Sequence, residues 1–322
     1  MQAIVQDTYG SADVLRLDDI DAPEPGAGEV LLRVRAAGVD RGTWHLMVGE
    51  PYVARLALGL RRPRNRVLGR DVAGVVEKVG SGVTGFSVGD EVFGVGKATF
   101  AELAVVPVGK LVHKPEGLAL EHAAAVPISG LTALHAVRDV GKVQPGQTVL
   151  VIGAAGGVGT YAVQIAKAAG AKVTGVCSTA KLDLVRSIGA DHVVDYTRDD
   201  IVDLGERYDV VIDIAGNRAL RRLRRVLAEK GTLVIVGGEG GGRWIGGIQR
   251  NLWASLWSPF IGQRMRAFIS REGREDMEVL AAMITAGTVT PVVERTFPLA
   301  DAAEAIRHLE AGHVRGKVVV TV

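Results

Sequence analysis

The segment Val149-Leu150-Val151-Ile152-Gly153-Ala154-Ala155-Gly156-Gly157-Val158-Gly159 constrains this chain more than any other. Its apolar start reads as a buried strand and its glycines as a tight turn. Val158, Ala162, Ile165, Ala166 and Ala169 then mark one face of a helix over 158–169. A strand that turns through glycines into a helix N-terminus offers backbone N–H groups and the positive end of the helix dipole to an anion, which is how a dinucleotide pyrophosphate is held. An NAD site places an acidic residue about 20 positions further on, against the ribose hydroxyls. Here that place reads Cys177-Ser178-Thr179-Ala180-Lys181. A hydroxyl and an ammonium suit a 2′-phosphate, so the expected cofactor is NADPH, with Ser178 donating a hydrogen bond and Lys181 supplying charge.

The rest of the chain supports this reading. Apolar runs at 149–152, 173–177, 193–195, 210–214 and 233–236 alternate with helical patterns, including 219–229 with Leu220, Leu223, Val226 and Leu227 on one face. Such alternation predicts a doubly wound parallel sheet. Arg221, Arg222, Arg224 and Arg225 fall opposite that apolar stripe and read as a solvated face. Residues 1 to about 122 differ: short β-type runs at 29–35, 72–79 and 100–106 are separated by Pro and Gly signals, a mostly antiparallel pattern. After Gly237-Gly238-Glu239-Gly240-Gly241-Gly242 comes a segment with Trp244, Trp253, Trp257 and Phe260, which suits a substrate wall, a dimer contact or a membrane surface. From about 276 the pattern is helix, strand, helix and a closing strand 317–322, which would most simply return to the first domain.

Composition narrows the function classes. A net charge of +2 on 322 residues gives no general case for nucleic acid or acidic membranes. The arginine-rich loop from Arg55 to Arg66 reads as solvated, with guidance of an anionic cofactor as its alternative. The single cysteine, Cys177, rules out an internal disulfide and any multi-cysteine zinc site, and fits a reducing, cytoplasmic setting. The N-terminus lacks the layout of a secretion signal, and no apolar stretch approaches the roughly 20 residues that span a bilayer. The seven histidines show no close pairing and read as structural or surface residues.

Gly146-Gln147, Leu150, Ala154-Ala155-Gly156-Gly157-Val158-Gly159, Gln164 and Lys167 together resemble the quinone oxidoreductase and ζ-crystallin signature of the medium-chain dehydrogenase/reductase superfamily. The resemblance extends over essentially the whole chain, through Gly69-Arg70-Asp71-Val72-Ala73-Gly74 and Gly312-His313-Val314-Arg315-Gly316-Lys317. It implies an α/β fold: a GroES-like β domain over 1–122, a Rossmann doubly wound parallel sheet binding NADP over 123–270, and a C-terminal return over 271–322. It further implies NADPH, a small-molecule substrate in a cleft between the domains, and often a homodimer through the Rossmann sheets. The implied cofactor contacts are Thr132, Ala155, Gly156, Gly157, Val158, Gly159, Ser178, Lys181, Tyr196, Gly237 and Gly238.

Zinc-dependent relatives hold their catalytic metal at positions matching Asp40, Arg70 and Asp71. An arginine stays protonated and offers no lone pair, so no metal is expected. Without a Lewis acid, the acceptor should already be electron-poor: a quinone, or a C=C conjugated to a carbonyl. Asp40 matches a position near the nicotinamide ribose, but Asp40-Arg41-Gly42-Thr43 departs from the usual Asn-Pro-x-Asp. Tyr52 matches a tyrosine lining the substrate cleft, and the two are the catalytic candidates. The rival readings are a broad alcohol/aldehyde dehydrogenase and an NADPH-binding structural or sensing protein with little turnover.

Overall fold

The computed structural model describes residues 1–238, 242–257 and 262–322. They form two units: 1–131 with 272–287 and 291–322, and 132–271 with 288–290. The chain thus re-enters the first unit at Glu272.

The second unit is built on a parallel sheet of six strands, in the order His192–Asp195, Lys172–Cys177, Thr148–Ile152, Tyr208–Asp213, Leu227–Ile235 and Arg264–Ala267. Its inner strands are continuous apolar runs because helices cover both faces. Val149, Leu150, Val151, Val211 and Ile212 are fully buried. The strand order reverses between Thr148–Ile152 and Tyr208–Asp213, and registers Ile152↔Asp213, Asp213↔Ile235 and Cys177↔Asp195 bring the carboxyl ends together there. That reversal is where doubly wound sheets bind ligands.

One expected helix is shorter than its pattern. The helix over 219–229 is Leu220–Arg225, and the next strand starts at Leu227 rather than 233. Leu227 pairs with Tyr208, and the register then jumps to Thr232 beside Val210. The apolar period had run on into a bulged strand. Gly231 makes the bulge possible, since a Cβ there would stand 2.9 Å from the Tyr208 carbonyl oxygen. Leu220 and Leu223 face the core, and Arg221, Arg222 and Arg225 are exposed.

The first unit holds a sheet ordered Val293–Pro298, Lys317–Thr321, Glu29–Val39, Asp71–Val79, Glu91–Val95 and Leu111–His113, with Leu103–Pro107 also paired to Glu29–Val39. Every pair is antiparallel except the first, which is parallel. The chain's last strand is an inner one, with Val318, Val319 and Val320 fully buried. It is anchored by a buried ion pair: Lys317 Nζ lies 2.8 Å from Asp71 Oδ2, while Asp71 Oδ1 accepts the Ile128 N–H at 2.7 Å. Burial pushes the Asp71 carboxyl up, opposed by Lys317 and reinforced by the Asp40 charge.

Candidate functional site

The glycine turn is shaped by two backbone requirements. Gly153 has φ +86°, in the left-handed region that favours glycine. A Cβ on Gly159 would stand 2.1 Å from the Gly153 carbonyl oxygen, so only glycine lets the helix Gly157–Ala168 press against the strand end. Gly156 caps that helix without a side-chain hydrogen bond. The N–H groups of Gly157, Val158 and Gly159 open the helix and have no helical acceptor. Ala155 is buried just before them. An anionic group is what such a terminus can hold.

The signature residues Gln164 and Lys167 serve this frame. Buried Gln164 donates to the Thr160 and Thr290 carbonyls, each at 3.0 Å, and accepts the Thr290 N–H at 2.7 Å. Lys167 donates to both Asp191 oxygens at 2.8 Å, and Asp191 accepts the Val173 N–H at 2.7 Å. Burial raises the Asp191 carboxyl, but these bonds outweigh it and hold it below the ordinary range.

Ser178, Lys181 and Tyr196 come together at the ends of two adjacent strands. Ser178 and Lys181 are half-buried, and the Lys181 N–H donates to the Ser178 carbonyl at 2.9 Å. The Tyr196 N–H donates to the Cys177 carbonyl at 3.1 Å, leaving Tyr196 54% exposed. The buried Asp195 carboxylate at this strand end is occupied. It accepts from the Thr179 hydroxyl and from Thr197 through N–H at 3.0 Å and Oγ1 at 2.7 Å, and these bonds hold its carboxyl below the ordinary range. Cys177 is buried, and desolvation pushes its thiol up to about 11. Thr132 lies half-buried in the helix Pro127–Leu134.

Gly237 is fixed by residues the sequence reading had not singled out. The Val236 and Gly237 N–H groups both donate to the Asp213 carbonyl, at 3.0 and 3.2 Å. A Cβ on Gly237 would meet the Ile214 oxygen at 1.9 Å. The fully buried Asp213 carboxylate takes the Gly216 N–H at 3.2 Å and pairs with Arg250, which also donates to the Gly237 carbonyl at 3.3 Å. The signal was an aspartate ending an apolar strand. Gly238 packs on Gly247, whose Cα would lie 3.0 Å from a Cβ on Gly238. Arg250 thus belongs to the unit's interior, whereas Trp244 and Trp253, before and on the same helix Ile248–Trp257, are 75% and 55% exposed. The Trp257 side chain, Phe260 and Glu239-Gly240-Gly241 lie outside the described residues.

In the first unit, Asp40 caps the helix Arg41–Val48, its Oδ1 accepting the Thr43 N–H at 2.7 Å. Its Oδ2 is buried and has no hydrogen-bond partner among the described residues. The Tyr52 ring is stacked under the Arg55 guanidinium at 4.5 Å, and Tyr9 stands on Arg55 as well, at 4.4 Å. Arg55 donates to the carbonyls of Gly49 at 2.8 Å and Val48 at 3.2 Å. Arg55 is therefore a packing residue, unlike exposed Arg61, Arg62, Arg64 and Arg66. Arg70 pairs with Glu272, which also takes Lys110 at 2.7 Å. These residues do not fit zinc. Arg70 cannot ligate, Asp71 is committed to Lys317, and no group of three His, Cys, Asp or Glu among the described residues could hold a metal.

Comparison with known proteins places these features in a family context. Residues 26–116 match the alcohol dehydrogenase GroES-like domain, and 188–320 match the family described as zinc-binding dehydrogenase. The mitochondrial NAD(P)H oxidoreductase RTN4IP1 of Mus musculus is 35% identical over 100% of this chain and 89% of its own length. The chloroplastic NADPH-dependent alkenal/one oxidoreductase of Arabidopsis thaliana is 35% identical over 99% of this chain and 79% of its own. Among solved structures, Escherichia coli quinone oxidoreductase complexed with NADPH superposes with a TM-score of 0.85 at 25% identity, covering 100% of both chains.

Proposed function

The chain belongs to the medium-chain dehydrogenase/reductase superfamily, in its quinone oxidoreductase-like branch, and from that membership we propose a zinc-independent NADPH reductase of quinones or α,β-unsaturated carbonyls. The observation that carries this reading is the meeting, along one set of strand ends, of an anion-binding helix N-terminus with Ser178 and Lys181. The relatives named for NADPH, alkenals and quinones support it.

NADPH, when bound, supplies the hydride. The N–H groups of Gly157, Val158 and Gly159 hold the pyrophosphate, with Ala155 and Gly156 forming the turn beneath it. Lys181 and Ser178 take the 2′-phosphate, with Tyr196 beside them. The Asp195 carboxylate at this strand end is engaged by the Thr179 and Thr197 hydroxyls and the Thr197 N–H. Gly237, Gly238 and Thr132 flank the nicotinamide end. Asp40 and Tyr52 serve the substrate, with the Tyr52 hydroxyl donating to a substrate oxygen and Arg55 fixing the ring beneath it.

Two further parts of the reading are the setting and the assembly. A lone buried thiol suits the reducing cytoplasm. Among the described residues no helix is long and apolar enough to cross a membrane. The edge strand Arg264–Ala267, followed by Ile269 at 94% exposure, suits pairing with a second copy in a homodimer.

The test is NADPH oxidation with quinones, enones, aldehydes and ketones, and NADP⁺ reduction with alcohols, before and after dialysis against a chelator. Turnover of quinones or enones that survives chelation is expected. Alcohol oxidation lost with the metal would replace this reading with a zinc dehydrogenase, and cofactor binding with no acceptor would replace it with an NADPH-binding scaffold.

A further inference from the structure

Residues 51–70 hold six arginines and no acidic residue, although the chain as a whole carries a net charge of only +2. Positive charge is therefore concentrated in one short stretch of the first unit. Half of it is spent within the fold. Arg55 stacks on the Tyr9 and Tyr52 rings, Arg66 pairs with Asp7 at 2.7 Å, and Arg70 pairs with Glu272. Arg61, Arg62 and Arg64 are exposed, and no carboxylate among the described residues pairs with any of them.

We propose that the loop from Val53 to Arg64 docks this protein on an anionic phospholipid bilayer, with Leu56 and Leu60 entering the surface and Arg61, Arg62 and Arg64 taking the headgroup phosphates. Leu56 and Leu60 are 68% and 67% exposed, the two most exposed leucines among the described residues, and Val53 is exposed as well. Scattered exposed leucines need no explanation. These, however, stand on a backbone that is held in place. The Tyr9 hydroxyl donates to the Gly59 carbonyl at 2.8 Å, and the Arg64 N–H donates to the Leu58 carbonyl at 2.8 Å. Gly59, at φ +119°, is buried, and a Cβ on it would stand 2.1 Å from the Arg62 carbonyl oxygen. Pro63 is buried between exposed Arg62 and Arg64. The loop thus doubles back tightly and leaves Leu60, Arg61 and Arg62 in solvent at its bend.

That combination fits a bilayer surface better than a protein or a nucleic acid. Aliphatic side chains gain from burial at the boundary of headgroups and acyl chains, while arginine keeps its guanidinium at the phosphates and lays its methylenes along the apolar layer. The guanidinium fork matches a phosphate bidentately, and each basic residue beside an anionic leaflet strengthens attachment about fivefold. Protein hot spots favour Trp and Tyr over Leu, and single-stranded nucleic acid stacks on aromatic rings. The tyrosine rings here, Tyr9 and Tyr52, are taken by Arg55. On the reductase reading above, attachment would bring the chain to the phase in which apolar quinones dissolve.

The experiment pellets the full chain with vesicles of phosphatidylcholine, with and without phosphatidylserine. Wild type should bind the anionic vesicles and not the neutral ones. The triple variant Arg61→Gln, Arg62→Gln, Arg64→Gln should lower the partition constant about 100-fold. The double variant Leu56→Ser, Leu60→Ser should lower it at least about 10-fold. Tm should not change in either, since all five side chains are exposed. Leu60→Cys carrying an NBD fluorophore, with Cys177 buried, should shift to the blue on anionic vesicles. No binding by the wild type overturns the proposal. So does binding that survives either set of substitutions, which puts the contact elsewhere or makes it a plain charge effect, and so does an NBD spectrum that vesicles leave unchanged. Binding of poly-glutamate but not of vesicles would give the loop to an acidic protein and overturn the bilayer. Every arm reads binding rather than turnover, so the proposal and the reductase reading stand or fall separately.

Discussion

The two units build their sites from different materials. In the second, the proposed anion cradle is made of backbone: Gly153, Gly156, Gly157, Val158 and Gly159 lie within one strand–turn–helix, and the proposed contacts come from the chain's path. In the first, polar groups are assembled from distant segments: Asp40 from a helix cap, Arg70 from a strand start, Glu272 from the point of chain re-entry, and Lys317 from the last strand. A backbone site tolerates almost no change of shape and is indifferent to most side chains. A side-chain site tolerates local change but depends on pairings far apart in sequence.

The largest expected effect falls on the backbone site. Gly159→Val should abolish NADPH binding, measured by cofactor fluorescence, because its Cβ would lie 2.1 Å from the Gly153 oxygen. Gly156→Ala should bind NADPH nearly normally, since φ is −86° and the nearest atom to a new Cβ is 3.5 Å away. Similar losses in both would show that protein packing around each glycine does not set what the cradle tolerates. Lys317→Met comes next. It strands the Asp71 carboxylate in the interior and should cost about 3–5 kcal/mol in denaturant unfolding; a cost under about 1 kcal/mol would show that the first unit does not depend on its long-range pair.

Lys181→Ala should weaken NADPH about 10- to 100-fold and NADH less than about 2-fold, the worth of a charge-assisted contact to a phosphate. Equal losses for both cofactors would remove Lys181 from the phosphate site. Tyr52→Phe should raise KM about 3- to 10-fold with kcat little changed, the scale of one neutral hydrogen bond; no change would leave Tyr52 a stacking partner for Arg55 alone.

The smallest effect concerns Cys177. Its buried thiol, pushed up to about 11, should react with iodoacetamide only slowly at pH 8 and faster as pH rises. Because the folded value lies above the unfolded one, the thiol's contribution to stability is complete below the unfolded pKa of about 8.5 and fades as pH climbs toward 11. Rapid labelling of folded protein at pH 8 would show that this strand end opens.

What the sequence made legible follows the same division. Strands at 149–152, 173–177 and 210–214 were visible because a buried parallel strand is a local apolar run, and the glycine turn because its geometry excludes side chains within a few residues. The helix read through 229 failed where Val226 and Leu227 kept a helical period into a bulged strand, a matter decided by pairing with Tyr208. Arg250 lies in the tryptophan segment with nothing in the sequence to mark its partner; only the fold sets it against Asp213. Arg55 looked like one of several loop arginines until two tyrosine rings closed on it. Arg70 was legible as a residue that cannot bind zinc, and Glu272 was silent, because their pairing joins positions some 200 residues apart.

The central claim is direct hydride transfer to an electron-poor carbon without a metal. It is tested by reducing an enone with NADPH deuterated at C4, after exhaustive dialysis against a chelator, and locating the label by NMR. Deuterium from one of the two C4 epimers should appear at the β-carbon of a saturated ketone. Deuterium on the carbinol carbon of an allylic alcohol, or turnover that disappears with the chelated metal, would contradict the account.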